Sequence, residues 1–379
     1  MAVYKHFTFE TDQENVVWLA IDVAGKSVNV MAGEVMDELA QITAELSANT
    51  PAGLVMFSKK QRGFIFGADI NEFADFPDEA AVTAHIYGVL NSFQQIENLP
   101  CVTVILIDGV CLGGGYEMAL AFDYIIGIDH PSCQVGFPEI NLGLLPGYGG
   151  SGRAFVRMGL EAALEMVLHG KPVRANDALS IGALDHLVTD RDALADAARM
   201  ALGGGIERAI AVDCADPDAL IAAERAGIEA RTRPENTPAP FAILDHYSYR
   251  DMNKDNIIER ETKLFSKLMM SPSSIGFRRV FQLNDMVKKG GRGGHQVGHI
   301  HVIGAGVMGG DIAAIAAMNG FHVTLQDMNA AAINGAVKRA RALYERRLKN
   351  PDKVTATLER LVADPDGDGL AVADLLIEA

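Results

Sequence analysis

Glu117 and Glu139 each stand in a glycine-framed apolar segment, LGGGYEMAL (112–120) and GFPEINLGLLP (136–146). Two carboxylates near one site push their pKa values apart, so that one is protonated while the other stays ionised. Adding water across a double bond requires that division. Each acid also has an ordinary reading, since carboxylates stabilise helix N-termini in general. An acid inside the apolar run VGFPEINLGLL, however, does not serve solubility.

The segments around the two acids show how they are positioned. The extended apolar run CVTVILIDGVCL leads into Gly113, Gly114 and Gly115 and then the apolar-periodic YEMALAFD, which reads as strand, tight turn and helix. Such a turn leaves backbone N–H groups free at a helix start, and glycines let a ligand oxygen approach them. The helix dipole adds partial positive charge there, which suits an oxyanion, and Glu117 falls in the first turn beside it. Pro138, Gly143, Pro146, Gly147, Gly149 and Gly150 mark a winding loop around Glu139. Upstream, FIFGAD follows the strand-like GLVMFS. Its Gly67 permits close approach, and the Ala68 N–H is a candidate second oxyanion donor.

FGADI, LGGGYEMAL and FPEINLGLLPGYGG, in that order within residues 1–190, resemble the three signature stretches of the crotonase (enoyl-CoA hydratase/isomerase) superfamily. The resemblance implies an α/β crotonase-type spiral of strand and helix units acting on an acyl-CoA thioester. It places the N–H groups of Ala68 and Gly114 on the thioester oxygen, Glu117 on the water and Glu139 at the α-carbon. One oxyanion donor is typically worth about 3 kcal/mol of transition-state stabilisation. The superfamily also holds isomerases, hydrolases and decarboxylases. Retention of both glutamates favours hydration, because an isomerase needs only one proton shuttle. A non-catalytic NAD- or partner-binding scaffold would be expected to have lost an acid or a framing glycine. Lys59, Lys60 and Arg62, ahead of FGAD, match the place where the family meets the phosphates of coenzyme A, although a solvated basic loop accounts for them as well.

A second chemistry begins past the GGRGG joint at residues 290–294. HIHVIGAGVMGGDIAAIAAMNGFHVTLQD reads as strand, a turn with Gly304, Gly306 and Gly309, helix, and a second strand ending at Asp327. The glycines admit a pyrophosphate to the helix start. Asp327 accepts from a ribose 2′-OH and would repel a 2′-phosphate, so NAD is expected rather than NADP. The GAGxMG pattern, with Met308 in it, resembles the NAD-binding half of the 3-hydroxyacyl-CoA dehydrogenases. The fused order resembles the multifunctional family of fatty acid β-oxidation. It implies that hydration is followed by oxidation of the 3-hydroxyacyl-CoA, and it makes a thiolase β subunit a candidate partner. No histidine occurs after His322, and the chain stops in a strand-like LLIEA. A partial Rossmann domain is therefore expected, in a truncated chain able at most to bind part of NAD.

The expected domains are a crotonase domain over 1–190, a helical linker region over 191–294 and the partial NAD-binding domain over 295–379. With 379 residues, 49% of them hydrophobic, the chain can bury sizeable cores. A net charge of −16 argues against a nucleic-acid partner. No segment reads as a signal peptide or membrane span. Cys101, Cys111, Cys133 and Cys214 lack CxxC spacing, which points to a reduced, cytoplasmic setting. His85 and His169 have no partner pattern and are read as structural, and no cluster has the spacing of metal ligands.

Overall fold

The computed structural model describes residues 3–61, 63–208, 210–249, 253–290 and 296–379. Arg62 and residues 291–294 of the glycine-rich joint lie outside them. The chain divides into two compact units, Met1–Asp285 and Met286–Ala379.

Near-continuous apolar runs are the composition of strands covered on both faces. In the first unit such runs form a six-stranded sheet in the order Phe7–Thr11, Val16–Ile21, Gly53–Ser58, Val102–Ile107, Tyr124–Ile128 and His186–Val188. The first pair is antiparallel and the rest are parallel. The helices Gly33–Ala48 and Glu79–Glu97 lie between successive strands. They bury Val35, Met36, Leu39, Ile42 and Leu46, and Ile86, Leu90 and Phe93, the positions that helical spacing predicts. Asp78 starts the second helix by accepting from Ala81 N–H at 2.9 Å.

Three long strands are each followed by a short strand of a second sheet. Gly53–Ser58 leads to Gly63–Ile65, Val102–Ile107 to Val110–Leu112, and Tyr124–Ile128 to Gln134–Gly136. The short strands pair in parallel in that order, and Val173–Arg174 closes the edge antiparallel. This repeated long strand, short strand and helix is the crotonase-type spiral. Parallel pairing puts the C-terminal ends of the short strands side by side, the place where ligands bind in open α/β sheets.

Helix Lys254–Met269 packs on Glu79–Glu97 and on Gly150–His169, and the first compact unit extends to residue 285. Helix Pro272–Gly290 starts as expected, with Ser271 Oγ accepting from Ser274 N–H at 3.2 Å. Its Arg278 donates to the carbonyls of Phe73 (3.0 Å) and Met269 (2.8 Å).

In the second unit a parallel sheet runs Leu361–Ala363, His322–Gln326, His299–Ile303, Leu375–Glu378. Helices Val307–Met318, Ala330–Leu348 and Pro351–Glu359 join the strands. The order, with the first strand central and the fourth on its far side, is that of a doubly wound nucleotide-binding half.

Close packing between the short strands and the glycine turn gives a direct test. A Cβ on Gly115 would lie 2.6 Å from Ile65 Cβ and 3.0 Å from its carbonyl oxygen. Gly115→Ala is expected to destabilise the first unit by about 1–3 kcal/mol, as overpacking does. Denaturant unfolding measures it, and an unchanged midpoint would contradict this packing.

Candidate active site

Each of the three short strands delivers one segment of the site. Gly63–Ile65 runs into Phe66, Gly67 and Ala68; Val110–Leu112 into Gly113 and Gly114; and Gln134–Gly136 into Phe137, Pro138 and Glu139. Ala68, Gly114, Glu117 and Glu139 line one cavity, closed further by Tyr148 and Phe265. The sequence places these four residues in three separate segments, and the structure brings them together.

The backbone explains why two N–H groups face that cavity. Met31 bridges the upstream segment by donating to the Gly67 carbonyl (2.9 Å) and accepting from Asp69 N–H (3.0 Å). In extended chain alternate residues face opposite ways, so the Ala68 N–H points away from Met31. Gly113 adopts φ 54°, donates to the Gly136 carbonyl (2.9 Å) and starts a helix that runs only from Gly114 to Ala119. That helix is shorter than YEMALAFD predicts: the 120–122 segment turns back instead, with Ala121 and Phe122 N–H on the Met118 and Ala119 carbonyls. Among the described residues neither Ala68 N–H nor Gly114 N–H has a protein acceptor. A Cβ at Gly113 would sit 2.8 Å from Glu139 Oε1, so only glycine lets that acid close on the turn.

The two acids are held differently. Glu117 is 1% exposed, and its Oε1 accepts from Tyr148 N–H (2.7 Å) and Gly150 N–H (2.9 Å). Burial raises its pKa to about 7, and the two N–H donors and the charge of Arg153 limit the rise. Arg153 is itself fixed by the Tyr148 carbonyl (2.7 Å) and by both oxygens of Glu97 at 3.1 Å. Glu139 sits in a turn of 3-10 helix, Pro138–Leu142, where a winding loop was expected, and left-handed Gly143 ends it. Its Oε2 is buried without a hydrogen-bond partner. Burial first, then the negative charges of Glu117 and Glu261, push Glu139 well above the ordinary carboxylate range. Burial thus raises both carboxyls above the ordinary range, and the charge of Glu117 raises Glu139 further.

The basic residues ahead of FGAD divide. The Lys60 ammonium is occupied by the carbonyls of Val23 (2.9 Å) and Lys26 (2.7 Å) and by Asp22 (2.5 Å). Lys59 is exposed and donates to Thr8 Oγ1 at 2.8 Å. His85 contacts the site through Tyr148, whose hydroxyl is 3.1 Å from its Nε2, and burial lowers its pKa. His169 lies between Glu165 (3.2 Å) and Glu224 (3.6 Å) at the surface. Its helical neighbour Glu165 was legible at four-residue spacing, and Glu224, from another helix, was not. Cys111 is fully buried in its strand, and all four cysteines are free.

Residues 12–226 match the family model "Enoyl-CoA hydratase/isomerase". The chain belongs to the enoyl-CoA hydratase/isomerase family. Residues 299–379 match "3-hydroxyacyl-CoA dehydrogenase, NAD binding domain". Among curated relatives, the fatty acid oxidation complex subunit alpha of Aliivibrio fischeri is 32% identical over 98% of this chain and 57% of its own length. The protein of the same name from Shewanella halifaxensis is 30% identical over 100% and 56%. The chain thus spans about half the length of the curated relatives it matches. Two solved structures share the fold at 18% identity: a carnitinyl-CoA dehydratase from Mycobacterium thermoresistibile (TM-score 0.59, 74% of this chain and 90% of that one) and an enoyl-CoA hydratase from Bacillus halodurans (TM-score 0.54, 73% and 99%).

The second unit suits NAD on its own geometry. Gly304 has φ 101°, and a Cβ on Gly309 would strike the Gly304 carbonyl oxygen, so both must be glycine. A Cβ on Gly306 would meet nothing within 4 Å, which leaves open space where a pyrophosphate approaches the helix start. Met308 beside it is exposed. Asp327 leaves the second strand, and its Oδ2 accepts from Ala305 N–H at 2.7 Å, which ties the acid to the glycine turn. Arg339, which the sequence did not single out, donates to the Gly306 carbonyl at 2.9 Å. Among the described residues no helix is long and apolar enough to cross a membrane.

The raised carboxyls carry a stability consequence. A carboxyl whose folded pKa lies above its unfolded value leaves the folded state with more bound protons. Its contribution is present at low pH and is lost as pH rises through the folded pKa. With Glu117 near 7 and Glu261 near 8, both raised from 4.5, the first unit should lose stability as pH rises from about 4.5 to about 8. Glu139→Gln should flatten that slope. Denaturant midpoints against pH measure it, and stability rising over this range would contradict the burial of the acids.

Proposed function

We propose that the chain hydrates 2-enoyl-CoA thioesters to 3-hydroxyacyl-CoA. The observation that carries this reading is that Glu117 and Glu139, both buried, line one cavity with Ala68 and Gly114, whose N–H groups have no protein acceptor among the described residues. The Ala68 and Gly114 N–H groups hold the thioester oxygen. Glu117, ionised and fixed by Tyr148 and Gly150, takes a proton from water as the water oxygen bonds to the β-carbon. The electron pair of the double bond moves to the thioester oxygen as an enolate, which the two N–H groups stabilise. As the enolate collapses, Glu139 gives its proton to the α-carbon. Glu139 ends ionised and Glu117 protonated, and exchange with solvent resets the pair. Of the two described basic residues, exposed Lys59 is the better placed to meet the phosphates of coenzyme A, because Lys60 already spends its donors on the protein.

In the second unit Gly304, Gly306, Met308, Gly309 and Asp327 frame the NAD site. NAD held there supplies a hydride acceptor for oxidising the 3-hydroxyacyl product to 3-ketoacyl-CoA in the whole protein. Cleavage of such a product is thiolase chemistry, and a thiolase β subunit is the partner this order implies. The four free cysteines fit a cytoplasmic setting.

Hydration of crotonyl-CoA without NAD, followed as loss of enoyl-thioester absorbance, tests the reading. Glu117→Gln and Glu139→Gln should each lower the rate at least about 100-fold. Full activity in both variants would remove the two-glutamate mechanism.

A further inference from the structure

Helix Lys254–Met269 carries a third buried carboxyl that the hydration steps do not use. Glu261 is 0% exposed, on the face that also buries Ile257, Phe265 and Leu268. Its Oε1 accepts from Gly149 N–H at 2.5 Å, and its Oε2 accepts from Ser151 N–H at 2.7 Å and from the Ser151 hydroxyl. The intervening N–H groups, those of Tyr148 and Gly150, are the two that hold Glu117. Four successive backbone N–H groups thus alternate between two carboxyls: 148 and 150 face the reacting acid, and 149 and 151 face Glu261.

We propose that Glu261 is a positioning residue of the hydration site: by gripping Gly149 and Ser151 it holds the Tyr148 and Gly150 N–H groups on Glu117. This rests on the hydratase reading and adds to it a residue from the helical region beyond 226, where the family match ends. The surrounding contacts support a fixed grip. Ser151 Oγ lies 2.8 Å from His246 Nε2, and the Tyr247 hydroxyl donates to the Ser151 carbonyl at 3.1 Å. His246 is 1% exposed and burial pushes its pKa down to about 3, so it is neutral there. Ser151 and His246 are sealed from solvent and do not line the substrate cavity, so the chain His246, Ser151, Glu261 is scaffolding rather than a nucleophilic triad. Phe265, one turn on from Glu261, lines the cavity itself, so the same helix supplies both wall and grip. Among the described residues, the titratable groups that face Glu261 from the packed elements are Glu117, Glu139 and Tyr247, with His246 across Ser151.

A glutamine at 261 keeps the size but turns an amide donor toward donors. The test compares the kcat, KM and pH–rate profile of native protein, Glu117→Gln and Glu261→Gln in crotonyl-CoA hydration. Circular dichroism confirms that each is folded. Glu261→Gln is expected to lower kcat about 10-fold or more with KM within about twofold, since a small misplacement of a reacting group is costly in the transition state. The limb of the pH profile that reports Glu117 should move to higher pH, because a carboxylate losing N–H donors binds its proton more tightly. Loss of a neighbouring negative charge alone would move that limb down. Should Glu261→Gln not fold, Ser151→Ala, which removes one of the three donors, should show the same signature at about threefold in kcat. An unchanged kcat, or a limb moved to lower pH, in native-like folded variant overturns the proposal while leaving Glu117-dependent hydration standing. Native protein without Glu117-dependent hydration overturns the hydratase reading and this inference together.

Discussion

Parallel pairing of three very short strands governs the first unit. Because Gly63–Ile65, Val110–Leu112 and Gln134–Gly136 run the same way, with one register shift between the first two, their C-terminal ends emerge together. Each end is followed by chain whose hydrogen bonds the sheet no longer supplies. Gly67, Gly113 and left-handed Gly143 let that chain turn sharply, and the ordinary shortage of partners at strand and helix ends leaves the N–H groups of Ala68 and Gly114, two residues of the cavity lining, without a protein acceptor among the described residues.

The same supply of backbone donors separates the two acids electrostatically. Both glutamates are costly to ionise where they sit. Glu117 recovers part of that cost from two N–H groups and from Arg153, whereas the buried oxygen of Glu139 has no such partner. Under the proposed hydration, their surroundings rather than any difference in residue type would make one acid the base and the other the proton donor. The strip from Tyr148 to Ser151 allocates those N–H groups, and Glu261 holds the strip from its far side.

Much of this was legible in the sequence. Glycines and prolines mark the two acids and the Ala68 turn, and the apolar spacing of 33–48 and 79–97 gives helices that bury the expected residues. The short strands were not legible, because three residues such as GFI or QVG are too few to show a period. Glu261 escaped for another reason: ERETK reads as a solvated charged face. Yet Ile257, Glu261, Phe265 and Leu268 fall at helical spacing on one apolar side, and an acid in that phase is a signal. The engagement of Lys60 by two carbonyls and Asp22 depends on residues far from it in sequence, which spacing cannot show. In the second unit the glycine turn, its helix and Asp327 were legible because they are contiguous; helices Ala330–Leu348 and Pro351–Glu359, strand Leu361–Ala363 and Arg339 were not read.

The account stands on the order of proton affinity between Glu117 and Glu139. Carbon-13 NMR of glutamate side-chain carboxyls, assigned through Glu117→Gln and Glu139→Gln and followed through a pH titration of the native protein, measures that order directly. The predicted result is a Glu139 carboxyl still protonated at neutral pH, with Glu117 ionising at lower pH. A Glu139 that ionises in the ordinary carboxylate range, below Glu117, would contradict the assignment of acid and base.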